Sequence, residues 1–381
     1  MSTKHLCDSS KCTGCFACLA ACPKQAISVK KGFLGETVPV VDNGKCVDCG
    51  LCDNICPSLN SPDKKYPIRC FAAWTSDNAD YQTTTSGGVA TAMAKAMVLS
   101  GGVVYGCTAF GIEVKHIRCT TLEDVESLKG SKYVQSDTQC IYKELKNDVA
   151  AGKNVLFIGT PCQCAGVKGF LRKDYANLLL VDLICHGVPS SDFLHKCLKR
   201  NFPKIDLEKI DGIRFRENST EMFVMSFCTE SKKYRLVLNP LNIYYQTFFY
   251  GNTYRNSCYT CQFARPERCS DITIGDFWGL KDLDIARMEK NGISCILVNT
   301  GKGHCFIERL GNITKYEQPI EDAVCGNAQL QAPTRMTVRT RFFRCWSKYL
   351  SVWLVYRVVW MDKIFVSALK QNIKRILKWQ K

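Results

Sequence analysis

Two runs of cysteine dominate the chemistry this sequence can do. Cys12, Cys15, Cys18 and Cys22 precede Pro23, and Cys46, Cys49, Cys52 and Cys56 precede Pro57, so that both runs read C-x2-C-x2-C-x3-C-P. Thiolates at this spacing are the ligand set of a 4Fe-4S cubane, because three wrap one cluster while the fourth points to another. The ligands therefore cross over. Cluster one takes Cys12, Cys15, Cys18 and Cys56, and cluster two takes Cys46, Cys49, Cys52 and Cys22. Gly14 and Gly50 let the backbone pass close to sulfide, and the prolines end each turn. A structural zinc module is the competing reading, but zinc sites favour two C-x2-C knuckles separated by a spacer. Cys7 lies outside both runs and reads as a spare thiol.

A third set of cysteines is spread through the body. The apolar run 155–159 leads into Thr160, Pro161, Cys162 and Gln163, and the run 178–184 leads into Cys185, His186 and Gly187. As parallel neighbouring strands, both would deliver their turns to the carboxyl edge of a sheet, where α/β proteins gather ligands. Cys258 and Cys261 add a C-x2-C knuckle, completing the four thiolates a third cubane needs. Spacing alone leaves buried free thiols or a redox pair as alternatives. Cys164 and Cys269 compete for ligand positions, whereas Cys70, Cys107, Cys119, Cys140 and Cys197 have no spacing partner and read as core. His186 is a candidate for proton transfer, or else it satisfies a turn. Ser86, Gly87 and Gly88 precede a predicted helix, with a serine N-cap and bare backbone suited to an anion such as a cofactor phosphate. A polar segment from Gly130 through Lys132, Tyr133 and Gln135 offers a cation and a ring for a nucleotide or flavin. The motifs GxxxxGK[ST], HExxH and GxSxG are absent, which argues against nucleotide hydrolysis, zinc proteolysis and serine esterase chemistry.

These groups need a scaffold of some size. The chain has 381 residues, 46% hydrophobic and 23% charged, so it reads as a folded protein of two or three domains. Its 25 cysteines are an odd number in tight triplet spacing, which is metal-site usage. The expected fold class is α+β, with an N-terminal bacterial-type ferredoxin module followed by a mixed α/β body, which the resemblance described next makes a flavin and iron–sulfur body. The domain boundaries read as 1–62 for the ferredoxin module, 70–150 and 151–335 for two parts of the body, and 336–381 for a basic aromatic tail. Residues 57–67 are polar and proline-rich and read as a linker. Strand candidates are 102–106, 155–159, 178–184 and 293–298, with helices over 89–99 and 192–199. A second patch at 210–216, 222–227 and 234–238 alternates like an antiparallel sheet.

Five segments in order carry a family resemblance: SGGVATAMAKAMVLSGGVVYGCTAF, KGSKYVQSD, VLFIGTPCQCAGVKGF, VDLICHGVPS and CYTCQFARPERCSDITIGDFWGL. From about Phe71 to about Leu280 the chain resembles the coenzyme F-420 hydrogenase/dehydrogenase β-subunit family, fused behind a two-cluster ferredoxin module. The resemblance implies FAD and one 4Fe-4S cluster in the body, the latter on Cys162, Cys185, Cys258 and Cys261. It implies phosphate contact at Ser86, Gly87 and Gly88, and places Lys132, Tyr133, Gln135, Thr160 and Gln163 around the flavin ring or its linker. The expected function is an oxidoreductase that passes electrons between ferredoxin-type clusters and a small two-electron substrate, a deazaflavin or another acceptor, through FAD. The alternative is a non-catalytic subunit relaying electrons to a partner enzyme. Ferredoxin or another redox protein is the expected partner in either case.

Residues 1–5 run straight into cysteines without an apolar leader, which reads as a cytoplasmic chain. Of the formal charge of +16, residues 341–381 contribute +9, from ten Lys/Arg against one Asp. Each oxidised cubane offsets about −2 of the remainder. In the tail, the apolar stretch 349–361 is interrupted by Arg357 and is too short to cross a bilayer. A basic helix there fits peripheral membrane association, docking of a partner protein, or packing on its own domain. No nucleic acid partner is expected, since no reading motif accompanies the basic and aromatic content.

Overall fold

In the computed structural model, which describes residues 6–217, 223–230, 232–237, 242–288 and 292–366, each cysteine run brackets a short helix. Ala17–Ala21 contains Cys18, and Leu51–Asn54 contains Cys52; the two helices pack together. An antiparallel hairpin of β1 (Ile27–Lys31) and β2 (Thr37–Val41) joins the runs. This is the expected ferredoxin module.

The body is built on one mixed sheet. Its strands are β3 (Arg69–Thr75), β4 (Val103–Phe110), β5 (Glu113–Cys119), β6 (Val155–Gly159) and β7 (Leu178–Leu183), followed later in the chain by three more. A separate antiparallel sheet intervenes, formed by β8 (Gly212–Arg214), β9 (Val224–Thr229) and β10 (Lys232–Val237) in the order β10-β9-β8. The main sheet then gains β11 (Ile272–Asp276), β12 (Ser294–Val298) and β13 (Ile313–Gln318), and its order is β13-β3-β12-β11-β7-β6-β4-β5. The four strands β4, β6, β7 and β11 run parallel, while β5, β12, β3 and β13 join antiparallel at the flanks. Strands from before and after residue 150 thus share a single sheet.

Both faces of the parallel core are buried, which is why these strands read as near-continuous apolar runs. Val104, Leu156, Leu179 and Val181 face one side, packed against the helix Val89–Leu99. Val103, Tyr105, Val155, Phe157, Leu178 and Leu180 face the other. There they meet the helices Ile141–Ala150 and Pro161–Leu171, together with Ala17 and Ile55 of the ferredoxin module. The module docks flush because the helix Pro161–Leu171 presents glycine at the contact. A Cβ on Gly166 would lie 3.0 Å from Cys15 Cβ, and one on Gly169 would lie 2.2 Å from the carbonyl oxygen of Ile55.

Several expectations need correction. The predicted strand 102–106 continues to Phe110, and β3, β5, β11 and β13 join the sheet although none stood out as an apolar run. The 57–67 segment is no free linker. Gln262 Nε2 donates to the Pro57 carbonyl at 2.7 Å, Lys64 Nζ donates to Gln262 Oε1 at 3.0 Å, and Lys65 exchanges backbone hydrogen bonds with Arg268. Its backbone and Lys64 are tied to the body, while Asn60, Ser61, Asp63 and Tyr66 stay exposed. The ends of the second patch at Met222 and Leu238, and the tail from 367 onward, lie outside the described residues. Part of the tail is core: Phe343, Val355, Tyr356 and Trp360 are buried with Phe215, Phe227, Tyr244 and Tyr245. Among the described residues no helix is long and apolar enough to cross a membrane.

Candidate redox site

The two cysteine loops adopt one backbone shape. In the first, Gly14 (φ 66°) and Phe16 (φ 59°) flank Cys15 in the left-handed region; in the second, Asp48 (φ 55°) and Gly50 (φ 68°) flank Cys49 in the same way. Each repeat thus places one glycine and one non-glycine in a conformation that L-residues resist, but at opposite positions. Strain shared by two differing sequences points to a loop shaped around a common guest. Cys12, Cys15, Cys18 and Cys56 line one small cavity together, the set that cross-over assigns to cluster one. Cys7 stands among them. It hydrogen-bonds Cys12 and Cys56, which draws their thiols down to about 6 and about 7, so it is not a remote spare thiol. The second set is nearer solvent: Cys49 is exposed, and Cys22 accepts a hydrogen bond from the Ala26 amide at 3.3 Å.

Parallel pairing of β6 with β7 brings the third set together. Their carboxyl ends carry Cys162, at the start of the helix Pro161–Leu171, and Cys185, and both line a cavity of about 320 Å³ with Cys258 and Cys261. Cys164 and Cys269 are buried but do not line it: Cys164 points back to the Val181 carbonyl. Burial pushes all four lining thiols up, Cys185 to about 12 and Cys258 to about 11, and their thiolates would repel one another. Ionised, they require a compensating cation. Arg268 lines the same cavity, is 1% exposed, and leaves Nε and Nη2 without partners. This buried guanidinium acts on the Asp182 carboxylate as well as the thiols, and its two nitrogens without hydrogen-bond partners fit an anionic metal–sulfur cage. Among the described residues no group of three or more His, Cys, Asp or Glu side chains forms a site for a single metal ion.

A second cavity, of about 310 Å³, shares Thr13, Thr160, Cys162, Cys185 and His186 with the first. Ser86, Gly88, Lys132, Tyr133, Gln135 and Gln163 complete the predicted lining; Gly87 stands behind the wall, where a Cβ would meet the Ala73 carbonyl at 2.4 Å. Ser86 is not the helix cap. Its hydroxyl accepts from Ser294 Oγ, and the cap is Gly88 at φ 73°, so the N-terminus of Val89–Leu99 opens on the cavity without a side-chain cap. Lys132 Nζ donates to the carbonyls of Leu128 and Lys129, and burial brings its ammonium down to about 8. Tyr133 packs at 5.0 Å from Phe248. His186 faces both cavities, and the surrounding protein lowers its imidazole pKa against the pull of Asp276.

Four further residues line up here for which the sequence offers no role. Gln163 Nε2 donates to Ser136 Oγ at 2.8 Å, Ser136 meets His116 Nδ1 at 3.1 Å, and His116 Nε2 meets the Ile158 carbonyl at 3.0 Å. A carbonyl only accepts, so Nε2 carries the proton and Nδ1 accepts from Ser136. Burial lowers His116 to about 4, keeping it neutral. Alternation along β5 marks His116 as inward-facing, but nothing in its spacing announces a role. Arg255 is the most connected of the four. It is buried, with Nη1 donating to Gln135 Oε1 at 2.8 Å, Nε donating to the Cys12 carbonyl at 3.3 Å and Nη2 at 3.9 Å from Cys12 Sγ. Gln135 in turn donates to the Gly14 carbonyl at 3.0 Å. Arg268, described above, completes the group.

Residues 11–60 match the model of the 4Fe-4S dicluster domain, and residues 152–320 match that of the C terminus of the coenzyme F420 hydrogenase/dehydrogenase beta subunit. The chain joins a 4Fe-4S dicluster domain to the C-terminal domain of the F420 hydrogenase/dehydrogenase β-subunit. The dicluster match and the two complete C-x2-C-x2-C-x3-C-P runs mark the N-terminal module as an iron–sulfur electron-transfer domain. Among solved structures, it is similar to a chain of the F420-reducing [NiFe] hydrogenase complex from Methanosarcina barkeri, studied as a xenon derivative. That likeness has 16% identity and a TM-score of 0.48, covering 70% of this chain and 90% of the other. No curated protein matches the chain. The hydrogenase/dehydrogenase match begins just before β6 and so contains all four cysteines of the third set.

Proposed function

We propose that this protein is an iron–sulfur flavoprotein oxidoreductase, which exchanges electrons between ferredoxin-type clusters and a small two-electron substrate at FAD. The observation that carries this reading is the shared wall. Cys162, Cys185 and His186 line both the four-cysteine cavity and the cavity holding Ser86, Gly88, Lys132, Tyr133, Gln135, Thr160 and Gln163. Bound FAD would supply the conversion between single electrons from cubanes and a two-electron hydride.

The residues divide the remaining work. The uncapped helix N-terminus at Gly88 and the Lys132 ammonium offer positive charge for phosphate. Gln163, oriented by Thr160 and Ser136, holds a fixed amide at the wall, and the neutral His116 behind it locks the direction of that chain. His186, at the junction of the cavities, is the group placed to hold or move a proton. Cys162, Cys185, Cys258 and Cys261 would hold the third cluster, with Arg268 balancing its charge. A deazaflavin or another small acceptor is the proposed substrate.

Anaerobically purified protein should contain about twelve iron and twelve sulfide per chain, from three cubanes, together with releasable FAD. Reduced ferredoxin should bleach the flavin band in stopped flow. Iron without flavin in protein that still reduces a partner enzyme would instead favour a relay subunit.

A further inference from the structure

The C-terminal helices carry apolar residues on two opposite faces, and the body covers only one. Val338–Trp346 buries Thr340, Phe343 and Arg344, while Val352–Val359 and the turn after it bury Val355, Tyr356 and Trp360. Arg344 fixes the first helix to the third cysteine knuckle: Nη1 donates to the carbonyls of Asn252 and Tyr254 at 3.0 and 2.8 Å, and Nη2 donates to Asn256 Oδ1 at 2.6 Å. Facing away from the body are Val338, Phe342, Trp346 and Tyr349, then Leu354, Val358, Met361 and Phe365, each between 44% and 83% exposed. Both rows advance by three or four residues, the repeat of one helical face. Such an extended apolar surface is rare on a soluble chain unless something covers it.

Charge decides what covers it. Arg341, Lys348, Arg357 and Lys363 are exposed around the two rows, and Lys370, Lys374, Arg375, Lys378 and Lys381 follow in the sequence. The single acid of residues 341–381, Asp362, is already paired with Arg339 at 3.0 and 3.1 Å. A second copy would set these exposed cations against their own kind. Protein interfaces are depleted of lysine, the commonest cation here. Aromatic and aliphatic side chains ringed by Lys and Arg match the interface of an anionic bilayer, where apolar groups enter the acyl boundary and cations meet phosphates. We infer that this face, from Val338 to Phe365, seats the protein on a membrane surface rich in anionic lipid. The helices lie in the interface and do not cross it.

The full-length chain is sedimented with phosphatidylcholine vesicles and with vesicles in which part of that lipid is replaced by phosphatidylglycerol. Binding is expected only to the second, falling with added salt and weakening roughly fivefold for each of Arg341→Gln and Arg357→Gln. Leu354→Glu combined with Val358→Glu should weaken it by roughly tenfold or more, with circular dichroism and visible cluster absorbance unchanged because both positions are exposed. Failure to sediment with anionic vesicles, or undiminished sedimentation of the double variant, overturns the proposal. A dimer in light scattering that the double variant dissolves would assign the face to a second copy and overturn it as well.

Discussion

Ser257 Oγ donates a hydrogen bond of 3.0 Å to the carbonyl of Cys12, so the knuckle that carries Cys258 is tied directly to the loop that carries the first cysteine of the dicluster module. Arg255 doubles the tie through the same carbonyl. Two residues of one short segment, far from Cys12 in sequence, therefore fix the first cysteine set against the third. A relay of electrons depends on such fixed approach, and the connection runs through buried groups that water does not replace.

Ser257→Ala removes one donor and leaves Arg255 in place. Loss of one buried hydrogen bond should lower stability by about 1 kcal/mol, read as a shift in the denaturation midpoint. Flavin reduction by ferredoxin should slow several-fold, whereas direct dithionite reduction of the clusters should not change. Equal slowing of both reactions would locate the defect in the clusters themselves and remove the argument for a tie.

Docking of the module rests on Gly169. A Cβ there would sit 2.2 Å from the Ile55 carbonyl, and backbone cannot yield as a flexible side chain can. Gly169→Ala should destabilise the contact by about 1–3 kcal/mol, the usual range for overpacking. Limited proteolysis should then cut faster within residues 57–67, which Gln262 and Arg268 hold in place in the docked protein. Unchanged protection would mean that the module tolerates a shift.

For the third cysteine set, the decisive residue is Arg268. Its unpartnered nitrogens beside Cys162, Cys185, Cys258 and Cys261 are costly unless an anion meets them. Arg268→Met should reduce iron from about twelve to about eight per chain while preserving the two dicluster centres. Electron paramagnetic resonance of the reduced protein should lose one component of its signal. Full iron content in the variant would dismiss the charge-balancing role.

How much of this was legible beforehand differs by level. The dicluster pattern is legible from local spacing, because three of a cubane's four proposed ligands come from a few consecutive residues. Cys162 and Cys185 were reachable because β6 and β7 are short apolar runs that end in cysteine, and their parallel pairing is what the run pattern predicts. Arg255, Arg268, Ser136 and His116 were not reachable. Each acts beside groups that lie elsewhere in the chain, and a lone arginine or histidine has no periodicity. Gly166 and Gly169 carry no signal of their own until Cys15 and Ile55 are placed against them. The 57–67 segment misled in the opposite direction, since proline and polar content exclude helix and strand but do not exclude docking. The Ser86 cap failed for a related reason: its hydroxyl found Ser294, from a strand more than two hundred residues away.

Lys132 gives the flavin proposal a pH signature. Burial lowers its pKa to about 8, so the cavity loses its cation as pH rises through that value. A phosphate bound beside it favours the charged form and raises the pKa in the complex, so binding above pH 8 must take up a proton. FAD affinity should therefore be level below about pH 8 and fall above it, by up to about tenfold per pH unit until the complex itself titrates. Lys132→Met should weaken binding roughly tenfold to hundredfold at neutral pH, the range for a charge-assisted hydrogen bond, and should flatten the profile. Fluorescence titration of FAD at several pH values measures both. An identical alkaline fall in Lys132→Met would assign the titration to another group and leave the uncapped helix N-terminus at Gly88 as the phosphate contact.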